Sequence, residues 1–205
     1  MSQIKNPGQI VILNGAPRSG KSSIAYEIQN TFKGLWMNIG VDQYMQMTPE
    51  RYQPGIGLRP GGERPDLEPL IALMYQAMYE SIAVHSQLGI NVVVDVGHHD
   101  GYSLSQGILS NCARILKELP VIFVGIHCPI EIIMKRRIDT WKIGYAEDGS
   151  IPTPIKRWQQ FVHMPGIYDV EVDTSELNPE ECADVIRQRL EEGPPPTAFQ
   201  MNVKR

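Results

Sequence analysis

An apolar run that passes through a glycine-bounded loop into an amphipathic helix constrains this chain more than any other feature. Residues 9–14 (QIVILN) are predicted to form a buried strand, and the next eight residues, 15–22, are GAPRSGKS. From residue 21 to residue 32 apolar side chains recur at helical spacing. The loop matches the pattern G-x-x-x-x-G-K-[ST] at every required position. Gly15 and Gly20 permit the tight turn that points backbone N–H groups inward, so the unit predicts a cradle for an anion.

The chemistry of this loop predicts a site for nucleotide phosphates. The N terminus of the following helix adds positive potential, Lys21 reaches the β- and γ-phosphates, and the Ser22 hydroxyl ligates Mg²⁺. ATP and Mg²⁺ are therefore the expected cofactors. The residues expected to bind the nucleotide are Gly15, Ala16, Pro17, Arg18, Ser19, Gly20, Lys21, Ser22 and Ser23. The alternative, a glycine-rich strand–helix turn without a ligand, is disfavoured because pattern and context agree.

Two aspartates follow predicted strands and are candidates for chemistry. Asp42 comes after the second predicted strand, residues 35–41, and ligands of open parallel sheets bind beyond the strand ends. A carboxylate there can accept the proton of an acceptor hydroxyl, which makes Asp42 a candidate catalytic base. The equally weighted alternative is the N-cap of a short helix. Asp95 ends the apolar run NVVVD and is a candidate Mg²⁺ ligand, or else an aspartate that bonds the following turn.

The order of predicted elements indicates an α/β domain. Short apolar runs alternate with amphipathic helices, which predicts three layers with a mostly parallel central sheet. We expect one domain over residues 1–190, a helix over residues 102–119 and a flexible proline-rich tail over residues 191–205. The prolines and glycines of residues 48–69 forbid regular structure there. Such a long irregular excursion is typical of a functional loop, here on the acceptor side.

Basic residues cluster after the fourth predicted strand. Residues 135–142 contain four basic side chains and one acid, and in nucleotide kinases this region is a lid that closes over ATP. Arg136, preferred over Arg137, is a candidate catalytic residue that stabilises charge on the transferred phosphoryl group. The alternative is a helix end with favourably placed cations. The lid is expected over residues 136–149. The turn containing His98, His99 and Asp100 is predicted to be polar, with substrate contact as an alternative and metal binding disfavoured.

Composition excludes several classes of protein. Hydrophobic residues make up 42% and charged residues 20%, and the net charge of −4 gives no general attraction for nucleic acid or anionic membranes. The three cysteines lie far apart and form no C-x-x-C pair. The longest apolar stretch, residues 120–133, is too short and too often interrupted to span a bilayer. The beginning of the chain carries no visible secretory signal, so we expect a cytoplasmic protein. The oligomeric state stays open.

The GAPRSGKS loop, Gly40-Val41-Asp42, the strand ending at Asp95 and the run YDVEVDT at residues 168–174 together resemble the chloramphenicol phosphotransferase-like family. The resemblance extends from about residue 10 to residue 190. It implies a P-loop kinase fold and transfer of the γ-phosphate of ATP to a hydroxyl of chloramphenicol. It also implies that Asp42 is the catalytic base, that residues 15–22 bind ATP and that Arg136 is a lid arginine.

Other nucleotide-dependent functions are weighed against this expectation. A guanine-nucleotide switch usually carries N-K-x-D and D-x-x-G segments, and the sequence has neither. A kinase of a sugar nucleotide or nucleoside would use the same loop and base, so this alternative stays open. We expect a small neutral hydroxyl compound to bind between Asp42, residues 48–69 and the turn after Asp95. Tyr44, Met45, Met47 and Tyr52 would supply apolar surface for it. Lys21 is expected to be largely exposed without nucleotide.

Overall fold

A parallel sheet forms the centre of the computed structural model, which describes residues 6–61 and 63–203. Within those residues five strands pair in the order β2–β3–β1–β4–β5, all of them parallel. The strands are β1 (Ile10–Asn14), β2 (Trp36–Asn38), β3 (Asn91–Val96), β4 (Val121–His127) and β5 (Val170–Asp173). Because β1 lies between β3 and β4, the loop that follows it emerges at the middle of the sheet.

Helices cover both faces of the sheet. They are α1 (Lys21–Thr31), α2 (Val41–Met47), α3 (Glu68–Gln87), α4 (Ile108–Ile115), α5 (Ile130–Trp141), α6 (Thr153–Phe161), α7 (Pro179–Glu192) and α8 (Ala198–Met201). Alternate residues of β1 face opposite layers: Ile10 and Ile12 pack with α3, α4 and α8, whereas Val11 and Leu13 pack with α1 and α7. This arrangement confirms the predicted three layers. No helix in the described part of the chain is long and apolar enough to span a membrane.

Two elements differ in length from the sequence prediction. The second strand ends at Asn38 and not at residue 41, because Gly40 caps α2 and Val41 is already helical. The helix predicted over residues 102–119 begins only at Ile108. The preceding residues are held away from helical geometry because the buried Glu68 carboxylate accepts hydrogen bonds from the Ser103 amide, at 2.9 Å, and from the Ser103 hydroxyl.

Apart from two short 3₁₀ turns, Glu50–Tyr52 and Gly55–Gly57, the described part of residues 48–69 is irregular until α3 begins. The loop is nevertheless fixed to the domain. Ile56 and Leu58 are almost fully buried in the cluster that contains α3. Burial of these apolar side chains stabilises the irregular segment against the domain.

The tail predicted to be flexible packs on the core instead. Residue 192 still belongs to α7, and α8 inserts the fully buried Phe199 against Tyr79 and Phe123, with ring centroids 6.1 and 5.1 Å away. The Asp169 carboxylate accepts the amide N–H groups of Thr197 and Ala198 and so holds the start of α8. Residues 204 and 205 lie outside the described residues.

Candidate functional site

A cavity of about 640 Å³ opens at the carboxyl ends of β1 and β3, where an open parallel sheet binds its ligands. We call it the central cavity. One part of its wall comes from the loop after β1, α5 and the β5–α7 connection, and includes Gly15, Lys21, Ser22, Arg136, Thr140, Thr174, Leu177, Asn178 and Pro179. Another part comes from α2, the 3₁₀ turn Gly55–Gly57, α3, α6 and the end of β3, and includes Val41, Asp42, Met45, Ile56, Tyr75, Asp95, Gly97 and Trp158.

The loop of residues 15–22 has the geometry of an anion cradle. Gly20 adopts a left-handed conformation at φ 98° immediately before α1. A Cβ at Gly15 would stand 2.5 Å from the Ile126 carbonyl oxygen, so only glycine fits there. The Ser23 and Ile24 amides donate to the Gly20 carbonyl oxygen, whereas the N–H groups that begin a helix without such a partner are available to an anion. The loop leads directly into α1, which also carries Ser23, and the binding of phosphate by these residues stays a prediction.

Lys21 is buried, which contradicts the expectation that it would be largely exposed. Its Nζ donates a hydrogen bond to the Ala16 carbonyl oxygen at 3.0 Å and lies 3.5 Å from Oδ1 of Asp95. The ammonium group therefore lies against its own loop, with these two oxygens as its partners. The phosphates of a nucleotide would compete for the same group.

Asp95 and Ser22 form a pair suited to Mg²⁺. The Ser22 hydroxyl donates a hydrogen bond to Oδ2 of Asp95 at 2.7 Å. A hydroxyl and a carboxylate oxygen side by side fit a cation that takes one or two protein oxygens and otherwise keeps water and phosphate ligands. Among the described residues no group of three or more His, Cys, Asp or Glu side chains could hold a metal, and this includes His98, His99 and Asp100.

Asp42 lies in the first turn of α2 and faces the central cavity. Gly40, and not Asp42, is the N-cap, which removes the capping alternative. A Cβ at Gly40 would come within 2.8 Å of the Asp95 carbonyl oxygen, so glycine lets the start of α2 approach the end of β3. Burial is the main cause that raises the pKa of Asp42, and the negative charge of Asp95 adds to it. The positive charges of Lys21 and Arg18 act in the opposite direction but do not cancel the rise. A raised pKa suits a carboxylate that takes up a proton.

Arg136 lines the cavity but is already engaged within the protein. Its guanidinium donates to Oγ1 and to the carbonyl oxygen of Thr174, at 3.0 and 2.7 Å, and to the carbonyl oxygen of Arg18 at 3.3 Å. These bonds fix α5 to the β5–α7 connection. The predicted action of Arg136 on a phosphoryl group stays a prediction.

The two histidines of the polar turn predicted after β3 are buried, whereas Asp100 is exposed. Nε2 of His98 shares a 2.6 Å hydrogen bond with the Tyr79 hydroxyl, and the His98 amide donates to Oδ1 of Asn14. His99 bonds the Leu58 carbonyl oxygen at 2.9 Å and packs edge-on against Trp158. Burial lowers the pKa of His98 to about 3 and that of His99 to about 4. Both histidines are therefore neutral supports beneath the cavity wall.

Several cavity residues were missed by sequence reasoning. Tyr75, Trp141 and Trp158 supply aromatic surface from three helices, and Pro179 closes the wall at α7. Of the four residues expected to form apolar surface for an acceptor, Met45 lines the cavity, whereas Met47 is 70% exposed to solvent. Aromatic residues at helical spacing usually signify core, so the sequence carried no distinct signal for these positions.

Comparison with known proteins identifies a family and a relative that this chain resembles. A family model described as chloramphenicol phosphotransferase-like protein matches residues 8–191. A protein of Mycobacterium tuberculosis (strain CDC 1551 / Oshkosh) named "Putative O-phosphotransferase MT2714" is 24% identical over an alignment of 218 residues. That alignment covers 97% of this chain and 89% of the relative.

Solved structures share the fold at low sequence identity. The APS kinase CysC of Mycobacterium tuberculosis, in complex with AMPPNP and APS, superposes with a TM-score of 0.59 at 16% identity and covers 91% of this chain and 99% of its own. Shikimate kinase from Acinetobacter baumannii, with shikimate, gives a TM-score of 0.57 at 11% identity, covering 89% and 93%. The five-stranded sheet of the described residues thus has the architecture of P-loop kinases.

Proposed function

The chain belongs to the family of chloramphenicol phosphotransferase-like proteins, and on that premise we propose that it transfers the γ-phosphate of ATP to a hydroxyl group of a small molecule. The family and the kinase fold support a phosphotransferase in the coarser sense. One observation carries the finer proposal. The same cavity joins a complete phosphate loop to the Asp42 carboxylate, which makes no hydrogen bond or ion pair with another described residue.

The donor side would work by position and charge. Backbone N–H groups of residues 15–22 hold the phosphate chain, and Lys21 moves from the Ala16 carbonyl oxygen to the phosphate oxygens. The base and ribose of the nucleotide would lie against the β5–α7 connection, where Leu177, Asn178 and Pro179 line the cavity. Arg136 supports this part of the wall through its bonds to Thr174.

Ser22 and Asp95 would hold Mg²⁺ beside the phosphates. When bound, the ion would neutralise charge on the β- and γ-phosphate oxygens during transfer. The Ser22 hydroxyl and the Asp95 carboxylate, at the end of β3, are the residues that would hold it. Asp95 also keeps Lys21 directed into the cavity at 3.5 Å.

Asp42 would act as the general base. The acceptor oxygen forms a bond to the γ-phosphorus, the bond from that phosphorus to the β–γ bridging oxygen breaks, and ADP leaves with the electron pair. The hydroxyl proton passes to the Asp42 carboxylate, whose pKa is raised by burial and by Asp95. Val41, Met45, Ile56, Tyr75 and Trp158 form an apolar and aromatic wall near this base. A neutral hydroxyl compound, with chloramphenicol as the family's example, suits such a wall.

The test separates the two aspartates by their dependence on Mg²⁺. With an acceptor selected from a panel of hydroxyl compounds, nucleosides and sugar nucleotides, Asp42→Asn should bind ATP normally and transfer phosphate about 10²–10⁴-fold more slowly. Asp95→Asn should need more Mg²⁺ and be partly rescued by it. Asp184→Asn, on the exposed surface of α7, is the matched control and should behave as wild type. Mg²⁺ rescue of Asp42→Asn alone would reverse the two roles. Phosphorylation of polynucleotides, with none of small alcohols, would contradict the proposal.

A further inference from the structure

A second cavity lies beside the central one, between α3 and α4. Its volume of about 530 Å³ is within the range of small-molecule sites. We call it the α3–α4 groove. It is lined by Ala72, Leu73, Tyr75, Gln76, Ile108, Asn111, Cys112, Arg114 and Ile115. Tyr75 also lines the central cavity, so the side chain of this one buried residue is a wall of both.

The groove has an apolar surface along its length. Ile108, Cys112 and Ile115 follow one face of α4, one and two helical turns apart. Ile108 and Cys112 are almost fully buried, whereas Leu73, on the α3 side, is 62% exposed. Because Ile108 and Ile115 are seven residues apart, the groove follows α4 for about 10 Å. An elongated apolar surface that reaches solvent at an exposed leucine suits a ligand with an extended apolar chain.

The charge of the groove indicates the other end of such a ligand. Gln76, Asn111 and Arg114 line the groove, and each can donate hydrogen bonds. Arg114 is the one charged residue among the described residues of the wall. Its Nη1 donates to Oδ1 of Asn111 at 2.8 Å, and no acidic oxygen of the described chain lies within 4.0 Å of it. An unpaired guanidinium with free donors favours a carboxylate.

We propose that the α3–α4 groove binds a straight-chain carboxylate, with the chain between the two helices and the carboxylate at Arg114. Burial of chain methylenes against Leu73 and Ile108 would supply most of the affinity. Arg114 would select the charge of the head group, with a modest effect because it is exposed. A free fatty acid of medium length fits better than a membrane surface does, since a groove of this length accepts one chain. The proposal is independent of the proposed function, because it needs neither nucleotide nor acceptor.

Titration calorimetry below micelle-forming concentrations tests the proposal with three probes. Decanoate should bind as one molecule per chain. Octanoate should bind about 10-fold more weakly, because two fewer methylenes are buried. Decyltrimethylammonium carries the same chain as decanoate with a cationic head, and it should bind about 5-fold more weakly than decanoate or less tightly still. Arg114→Ala should weaken decanoate about 5-fold and remove this preference, whereas Arg114→Lys should keep most of it.

Lys117→Ala is the matched control, because Lys117 is an exposed basic residue just after α4 that does not line the groove. It should keep the wild-type affinities for all three probes. Leu73→Ser should weaken decanoate and decyltrimethylammonium alike, since it removes a contact with the chain and not with the head group. Thermal unfolding shows whether each variant is folded.

Amide chemical shifts measured by NMR locate the bound decanoate. The changes should centre on residues 72–76 and on α4. Changes confined to Met45 and Trp158 would overturn the proposal, because the chain would then occupy the central cavity. Absence of saturable binding would overturn it, as would unchanged decanoate affinity in folded Arg114→Ala and Leu73→Ser. It would also fail if Leu73→Ser dissociated a dimer, or abolished sedimentation of the wild type with phosphatidylglycerol vesicles, because a second copy or a membrane would then cover the groove.

Discussion

The Lys21 ammonium group contacts two oxygen atoms of its own protein, and the phosphates of a nucleotide would compete with them for it. The Ala16 carbonyl oxygen lies 3.0 Å from Nζ and the Asp95 carboxylate 3.5 Å from it. These contacts satisfy the ammonium group of a lysine that is only 8% exposed. Asp95 thus pairs with Lys21 and, in the proposed function, would also orient Mg²⁺.

Replacement of Lys21 by methionine should lower the rate of phosphoryl transfer far more than it lowers the stability of the fold. Lys21→Met keeps the aliphatic stem but leaves Asp95 without its nearest cation, so we expect a loss of stability of about 1 kcal/mol. Phosphoryl transfer should fall by about 10²-fold or more, because a preorganised charge at the γ-phosphate is lost. Urea unfolding at pH 7 and ATP turnover measure the two effects. A well-folded variant with wild-type turnover would contradict the role assigned to Lys21.

Individual residues also show which features of the site can be predicted from the sequence and which cannot. The phosphate loop was identified from the sequence because its chemistry depends on a local pattern of eight residues. The contacts of Arg136 could not be predicted, because they involve Thr174, which lies 38 residues from Arg136 and is placed beside it by the β4–β5 pairing. Adjacent residues on a helix point in directions about 100° apart, and only the fold decides which direction meets the site.

At the level of elements, the α/β alternation was predictable and the limits of individual elements were not. The start of α2 at Val41 depends on the fit of Gly40 against the end of β3. The late start of α4 depends on Glu68 in a distant helix. The prediction of a flexible tail was wrong because Phe199 is buried in a pocket between α3 and β4. The burial of this one aromatic side chain holds the tail on the domain despite its prolines. Each case is a tertiary contact that overrides local composition.

The docking of α8 should contribute substantially to stability. Phe199→Ala removes a fully buried ring that contacts Tyr79 and Phe123, so the free energy of unfolding should fall by about 3–5 kcal/mol. Met201→Ala is the control on the same helix, because Met201 is 63% exposed. Urea unfolding at pH 7 compares the two variants with wild type. Equal and small effects of both substitutions would mean that the tail contributes little to the folded state.

In the whole molecule, the order of the strands brings together groups that are remote in sequence. Placing β1 between β3 and β4 puts the loop after β1 next to Asp95, and α2 delivers Asp42 to the same cavity. Strand–helix alternation predicts a parallel sheet with its cavity at the carboxyl ends of the strands, so the place of the central cavity could be predicted. Its aromatic wall could not, because Tyr75 and Trp158 come from helices whose packing against the sheet has no local signature.

Buried neutral histidines beneath this cavity link the stability of the whole molecule to pH. Burial lowers the pKa of His98 from 6.5 to about 3 and that of His99 from 6.5 to about 4. The unfolded chain, with ordinary histidines, therefore binds protons at a higher pH than the folded chain does. By linkage, the stability from keeping these rings neutral is fully present above about pH 6.5 and is lost as the pH falls toward 4 and then 3.

The expected slope makes the effect measurable. Each histidine whose pKa is lowered should cost about 1.4 kcal/mol of unfolding free energy per pH unit within that window. Urea unfolding at half-unit steps from pH 7 to pH 4.5 should show a steady decline in wild type, and His98→Gln should reduce the slope by about that amount, whatever it does to stability at pH 7. Met201→Ala, at an exposed position of α8 without a titratable group, should leave the slope as in wild type. If His98→Gln keeps the full wild-type slope, the buried His98, bonded to Tyr79, does not have the lowered pKa on which this prediction depends.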